Sequence, residues 1–257
     1  MKYTVGISAI VLTKNEEAMI ADCIDSLSFC DEIIVVDLQS IDKTIEIAKR
    51  MGAKTVLTNL ESFSARRNLG AKTSKYKWIL YVDADERVCK ELQQEIITSV
   101  LSKKESPFSA YSIKRKNYYL GNFLWPQEEA FLRLFQKNKL LGWEGLLHET
   151  ASVEGEVSTL DSYLVHYTHR DLEQMLNKTI SWSQIEADLR LQANHPKMSW
   201  WRFPRVMMSA FFDSYIRQKG YKVGTAGFIE SIYQSFSMFI TYARLWELQQ
   251  GKKTKGS

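Results

Sequence analysis

The stretch Ile7-Ser8-Ala9-Ile10-Val11-Leu12-Thr13-Lys14-Asn15-Glu16 is an apolar run that ends abruptly in polar groups. A continuous apolar segment of this length suits a strand buried on both faces rather than one with a wet side. The pattern then repeats. Glu32 to Val36 reads as a second buried strand ending at Asp37. Lys54 to Leu57 reads as a short third, and Trp78 to Val82 as a fourth ending at Asp83. Helical stretches lie between them. One runs to about Leu27, with Met19, Cys23, Ile24 and Leu27 on one face and Asn15 as its cap. The others cover Asp42 to Met51, stopped by Gly52, then Ser62 to Ala71, and Glu91 to Leu101. This β-α-β-α order implies an α/β fold: a Rossmann-like, mainly parallel sheet with helices on both faces.

Polar residues gather just past the carboxyl ends of the apolar runs. Thr13, Asn15 and Glu16 follow the first, Asp37 the second, Asp83 and Asp85 the fourth. Open α/β sheets bind ligands at that edge. Asp83-Ala84-Asp85 offers two carboxylates one residue apart, a hard-oxygen arrangement that suits Mg²⁺ or Mn²⁺. A divalent ion there would offset charge growing on a leaving diphosphate. The plainer reading is a solvated turn in which one Asp caps the next helix. Asn15 as a simple cap, and Arg66-Arg67 as an exposed basic face, are the corresponding plain readings of those residues.

The middle of the chain, 109 to 165, is mixed, with strand-like pieces at 110–116 and 130–136. The last third is helical: Leu172 to Leu191 is amphipathic, and Phe228, Ile232, Phe236, Phe239, Ile240 and Ala243 keep helical spacing. His195-Pro196 separates the two. Lys252 to Ser257 reads as a basic tail.

The 257 residues carry a formal net charge of +4, too small to point to nucleic acid. From Arg170 onward there are 13 Lys+Arg and 7 Asp+Glu, a balance of +6. The same region is rich in aromatics, from Trp200-Trp201-Arg202-Phe203-Pro204-Arg205 through Phe211, Phe212, Tyr215 and Tyr221. Aromatic rings with cationic neighbours suit an anionic membrane surface, and packing as ordinary core is the alternative. Cys23, Cys30 and Cys89 form no CxxC pair and fit a reducing compartment. The N-terminus has no signal-peptide pattern, and no run approaches the roughly 18 apolar residues of a membrane span. The expected location is cytoplasmic, peripheral on the inner face of the cytoplasmic membrane.

Four motifs in order resemble family 2 glycosyltransferases of the GT-A fold: Ile7 to Glu17; Ile33-Ile34-Val35-Val36-Asp37 with Ser40-Ile41-Asp42-Lys43-Thr44; Arg66-Arg67-Asn68-Leu69-Gly70; and Trp78 to Glu86. Phe131-Leu132-Arg133-Leu134-Phe135, Gly145-Leu146-Leu147-His148-Glu149, His166-Tyr167 and Tyr242 to Glu247 are similar to the short bacterial subgroup that builds lipopolysaccharide core and related surface glycans. The resemblance implies that Thr13, Asn15 and Glu16 hold the base and ribose of a nucleotide, and that Asp37 bonds the base. Leu38-Gln39 replaces the smaller residues usual in that loop. Arg67 would approach the diphosphate, with the two-pronged geometry arginine brings to phosphate. Asp85 would ligate Mg²⁺ or Mn²⁺ directly, and Asp83 would reach the ribose or a metal-bound water. Arg133 would either offset diphosphate charge or pair with a core carboxylate. The base that takes the acceptor proton would be Glu149, with Glu128 and Glu129 as competitors. His148 would ligate the metal, orient Glu149 or be structural.

The implied domains are a catalytic one over 1–169, with the donor side mainly in 1–100 and the acceptor side in 101–169, and a helical C-terminal region over 170–257. The implied activity is an inverting, metal-dependent transfer of a sugar from a UDP-sugar, by default UDP-glucose, to a lipid-linked or lipopolysaccharide-core acceptor. The alternatives are a nucleotidyltransferase of similar fold and a non-catalytic membrane-associated scaffold. The first is expected to carry a glycine-rich phosphate loop, and Thr13-Lys14-Asn15-Glu16 contains no glycine.

Overall fold

In the computed structural model, which describes residues 4–101, 106–145 and 149–251, the quoted apolar run is an interior strand of the sheet. Strand β1 (Thr4–Thr13) has β2 (Glu32–Asp37) and β4 (Tyr76–Asp83) as parallel neighbours, and β3 (Lys54–Leu57) lies outside β2. Ile7, Ala9 and Val11 enter one apolar cluster and Ile10 and Leu12 the other, so β1 is buried on both sides as its composition predicts. Trp78, Leu80 and Val82 of β4 alternate in the same way with Ile79 and Tyr81.

Beyond β4 the sheet changes direction. Strands β5 (Glu86–Val88), β6 (Ala110–Tyr119), β8 (Glu129–Gln136) and β11 (Val157–Tyr167) complete the order β3-β2-β1-β4-β8-β6-β11-β5 among the described residues, with β7 (Phe123–Leu124) paired to β6. The pairs β4–β8, β8–β6 and β11–β5 are antiparallel. A separate antiparallel pair joins β9 (Leu140–Glu144) to β10 (Thr150–Val153).

The first two helices are shorter than the sequence pattern implies, and the next two cover nearly the expected residues. Helix α1 is Ile20–Asp25, α2 is Thr44–Arg50, α3 is Phe63–Thr73 and α4 is Lys90–Ile96, the last continued by a π-helical turn over Ile97–Leu101. Ser62 caps α3 by accepting a hydrogen bond from the Ala65 amide. Asn15 does not cap α1, which starts five residues later after Met19. Gly70 lets α3 lie against β1, because a Cβ there would stand 2.5 Å from Ile10 Cγ2.

Two compact units divide the chain: Met1–Lys116 with Glu128–His166, and Asn117–Gln127 with Tyr167–Ser257. The second is built on α5 (Leu172–Gln192), α6 (Arg202–Phe212) and α7 (Gly224–Gly251). Asp171 caps α5 by accepting from the Gln174 amide. Within this unit Trp125 Nε1 donates to Gln218 Oε1 at 3.1 Å, and His169 Nδ1 lies 3.0 Å from Glu230 Oε2. The fold is thus α/β with a helical C-terminal extension, as the sequence implies. None of the described helices is long and apolar enough to cross a membrane.

Candidate active site

Strand register brings the predicted residues to one edge of the first unit. Thr13 stands opposite Asp37 across β1–β2, and Leu12 opposite Asp83 across β1–β4. Thr13, Asp37 and Asp83 therefore end three neighbouring parallel strands at nearly one level, the ligand-binding edge of such sheets.

The loops after β1 and β2 are stitched together. Asp37 is fully buried, and its carboxylate accepts from the Ser40 amide at 2.8 Å and from the Ser40 hydroxyl. Ser40 Oγ in turn accepts from the Asn15 amide at 2.7 Å, and Asn15 Oδ1 accepts from the Ile41 amide at 2.9 Å. Asn15 has φ +54° and Gln39 φ +51°, left-handed values that fold both loops back on themselves. The Glu16 amide donates to Thr44 Oγ1 at 2.8 Å. Asn15, Glu16 and Asp37 thus belong to one loop pair, and the Asn15 carboxamide serves that pair instead of a helix end. Thr13 is buried, and its hydroxyl has no hydrogen-bond partner among the described residues.

Asp83 closes β4 and is held from two sides. Arg67 Nη2 reaches its Oδ1 at 3.1 Å, and Arg133 Nη2 its Oδ2 at 3.0 Å. Burial alone would raise its pKa, but the two guanidiniums reverse that and hold it well below the usual carboxylate range. The Asp83 amide donates to Glu86 Oε2 at 2.9 Å. Glu86 is fully buried and also takes Arg133 Nη2 at 2.9 Å and Arg115 Nη1 at 3.4 Å through Oε1. Arg115 continues to Glu129 Oε2 at 2.8 Å and stacks on the Phe131 ring at 4.5 Å. The carboxylates Asp83 and Glu86 share Arg133, whose own pKa is raised: burial opposes this, and the two acids outweigh burial. Arg133 thus takes the core-pairing role of the two open to it.

Helix α3 governs the other side. Arg66 and Arg67 are 4% and 2% exposed, so they are not the exposed basic face that a charge run suggests. Arg67 lies over the Trp143 ring at 4.9 Å, and its Nε donates to Glu149 Oε1 at 3.1 Å. Asn68 pairs with the Trp143 backbone in both directions at 2.9 Å, and Ser64 Oγ donates to Gly145 O at 2.7 Å. Three residues within one and a half turns of α3 thereby hold the chain on both sides of residues 146–148. His148 lies outside the described residues. Glu149 and Asp83 meet on one guanidinium. Glu129 is two arginines removed from Asp83, and Glu128 lies out at the surface, 3.8 Å from Lys116 Nζ.

The turn after Asp83 is held by Arg87, whose Nη1 donates to the carbonyls of Ala84 and Glu86 at 2.9 and 2.8 Å. Across it, β11 pairs His166 with Glu86, and His166 Nε2 lies 3.3 Å from Asp85 Oδ2. Sequence reading assigned His166 no role. The signal was its place in His166-Tyr167, but its contact with Asp85 is made by strand pairing across 81 residues. The donor chemistry fits a divalent cation. One carboxylate and one imidazole meet at the surface of the turn, and both are ligand types of Mn²⁺, the carboxylate also of Mg²⁺. No group of three such residues occurs among the described residues, and His148 lies outside them.

Residues 8–152, more than half of the chain, match the family described as glycosyl transferase family 2. The chain is a family 2 glycosyltransferase. It is 31% identical to an uncharacterised glycosyltransferase of Rickettsia typhi over 94% of this chain and 87% of that one. It is 24% identical to the lipopolysaccharide core biosynthesis glycosyltransferase LpsC of Rhizobium meliloti, over 94% and 92% of the two chains. Among solved structures, S. aureus TarS 1-349 in complex with UDP-GlcNAc aligns over 95% of this glycosyltransferase and 92% of that chain, with 15% identity and a TM-score of 0.45.

Proposed function

We propose that this glycosyltransferase moves a sugar from a UDP-sugar, UDP-glucose by default, to a lipid-linked or lipopolysaccharide-core glycan in one inverting displacement. The observation that carries the proposal is the shared guanidinium of Arg67. It joins Asp83 at the end of β4 to Glu149, so a carboxylate able to accept a proton stands beside the aspartate turn.

In the proposed step, Glu149 takes the proton of an acceptor hydroxyl as that oxygen bonds the anomeric carbon. The bond from that carbon to the diphosphate oxygen breaks on the opposite face, and its electron pair leaves with the nucleoside diphosphate. Asp37, Asn15 and Glu16 would hold the base and ribose, Thr13 lining the same edge. Arg67 is proposed to turn part of its fork from Glu149 to the diphosphate when the donor binds, freeing the carboxylate as it neutralises the leaving group. Asp85 and His166 would hold Mg²⁺ or Mn²⁺, which supplies further positive charge to the leaving diphosphate. Asp83, with both oxygens engaged by arginine, positions the turn and reaches the ribose. Arg115 and Glu86 keep Arg133 on Asp83. The lipopolysaccharide acceptor rests on the name of the R. meliloti relative, and the lipid-linked alternative on the basic, aromatic C-terminal region.

The test is a donor screen scored by nucleotide release, preceded by melting shifts with UDP and Mn²⁺. Stabilisation by UDP only when Mn²⁺ is present, followed by UDP release from one sugar donor, is the expected result. Release of pyrophosphate from a nucleoside triphosphate instead would place the chain among nucleotidyltransferases. Binding of UDP without turnover of any donor or acceptor would favour the scaffold reading.

A further inference from the structure

Over its first half helix α7 buries mainly small and polar residues and exposes large apolar ones, whereas nearer its end Tyr242 and Leu245 are buried in an apolar core. Its inward positions include Gly227, Glu230, Ser231, Ser235 and Thr241, all buried. Its exposed positions include Phe228, Ile232, Phe236, Phe239 and Trp246, each 38–49% exposed. A surface helix normally directs the apolar stripe inward and polar residues to solvent. The polar interior here is satisfied: Ser231 Oγ donates to Gly227 O at 2.7 Å, Ser235 Oγ to Met207 O at 2.9 Å, and Glu230 faces His169 at 3.0 Å. A Cβ at Gly227 would stand 1.9 Å from Gly220 O, so the inner face is a close backbone approach of small residues.

Helix α6 extends the apolar side. No residue of α6 is buried, and Met208, Phe212 and, in the following turn, Ile216 are exposed at four-residue spacing. Phe211 lies 6.0 Å from Phe228 and Phe203 5.7 Å from Phe239, so the apolar side chains of the two helices form one band. Arg202, Arg205, Arg217, Lys219 and Lys222 accompany it, and Trp200 is 82% exposed. Asp213 is the lone acidic residue between Met198 and Thr225, and it is already bonded to Arg217 at 3.2 Å.

We propose that this α6–α7 face lies flat on an anionic lipid surface. Apolar rings and aliphatic chains would enter the boundary between headgroups and acyl chains, with arginine and lysine at the phosphate level. The excess of basic over acidic side chains argues for lipid over a second copy of the chain. A two-fold self-interface opposes the same patch to itself and would gather like charges at its rim. The described helices are too short or too polar to span, so the contact is parallel to the surface.

The test uses the full chain with vesicles of phosphatidylglycerol and phosphatidylethanolamine, and with vesicles of phosphatidylcholine alone. The protein is expected to pellet with the anionic vesicles, to be released by high salt, and to show a blue shift of tryptophan emission on binding. Met208→Asn with Ile232→Asn, both at exposed positions, is expected to weaken partitioning by about tenfold or more. Lys219→Glu with Lys222→Glu is expected to abolish the preference for anionic vesicles, and this arm decides the matter should the first variant fold poorly by circular dichroism. Failure of the unmodified chain to pellet with anionic vesicles overturns the proposal. So does a dimer in free solution that Met208→Asn with Ile232→Asn converts to monomer while vesicle binding is unchanged, because a second copy would then be the occupant.

Discussion

Arg67 and Glu149 are joined by a 3.1 Å hydrogen bond from Nε to Oε1, while Nη2 of the same guanidinium reaches Asp83 Oδ1 at 3.1 Å. A planar fork can serve two carboxylates in fixed directions, and an ammonium cannot. Arg67→Lys is therefore expected to keep the charge and lose the geometry. Turnover should fall about 100-fold, the scale of a misplaced reacting group. The buried carboxylate left poorly partnered should also cost roughly 1–3 kcal/mol of stability. Steady-state UDP release and thermal melting of the same preparation check both. Near-normal turnover in the lysine variant would mean that positive charge alone suffices at this position.

Asp85 and His166 are predicted to act as a pair toward the cation. Asp85→Ala and His166→Ala should each remove the Mn²⁺-dependent part of the UDP melting shift and shift the activity curve to higher Mn²⁺. The melting temperature of Asp85→Ala without ligand should stay close to that of the unmodified chain, while His166→Ala, at a side chain only 12% exposed, should lower it modestly. An unchanged Mn²⁺ response in His166→Ala would leave Asp85 without that partner, and the metal site would have to be sought elsewhere.

The base assignment separates by substitution. Glu149→Gln is expected to lower kcat by about 10²–10⁴, the usual contribution of a positioned base, with little change in donor affinity. Glu128→Gln should have little effect, because Glu128 is a surface residue facing Lys116. Glu129→Gln is expected to weaken the hold of Arg115 and to cost less than Glu149→Gln. Should the large kcat loss follow Glu129→Gln instead, the proton acceptor belongs to β8.

The half of the fold that could be read directly is the half governed by local periodicity. Strand β3 has the boundaries its composition implies, and β1, β2 and β4 end at Thr13, Asp37 and Asp83, because a strand buried on both faces writes itself as a short apolar run with a polar stop. In the antiparallel half the strand-like pieces 110–116 and 130–136 fall within β6 and β8, but the pairing of β8 with β6 and of β11 with β5 is set by contacts distant in sequence. The same reason hid the charge network. Glu86, Arg115 and Arg133 are separated by 29 and 18 positions, and each alone resembles a surface charge. The plain reading of Arg66-Arg67 as a solvated pair fails because Trp143 and Glu149 cover that side of α3. Asn68 has no role legible in its motif, because its bonds to the Trp143 backbone depend on the placement of β9.

Gly70 gives a prediction that turns on space alone. An added methyl would meet Ile10 Cγ2 at 2.5 Å, and Ile10 is fully buried in the interior strand β1, so the contact is relieved by moving α3 away from β1. Overpacking of this kind costs about 1–3 kcal/mol, more than the gain in helix propensity from replacing glycine, which is roughly 1 kcal/mol. Gly70→Ala is therefore expected to lower the melting temperature. Gly251→Ala, at a helix end with nothing near it, should leave the temperature unchanged or slightly raised. Because α3 also carries Arg67, Asn68 and Ser64, the shift should be felt at the site, and turnover of Gly70→Ala should drop at temperatures well below its melting point. A variant that melts lower yet turns over normally would show that α3 can retreat from β1 without moving the guanidinium that joins Asp83 to Glu149.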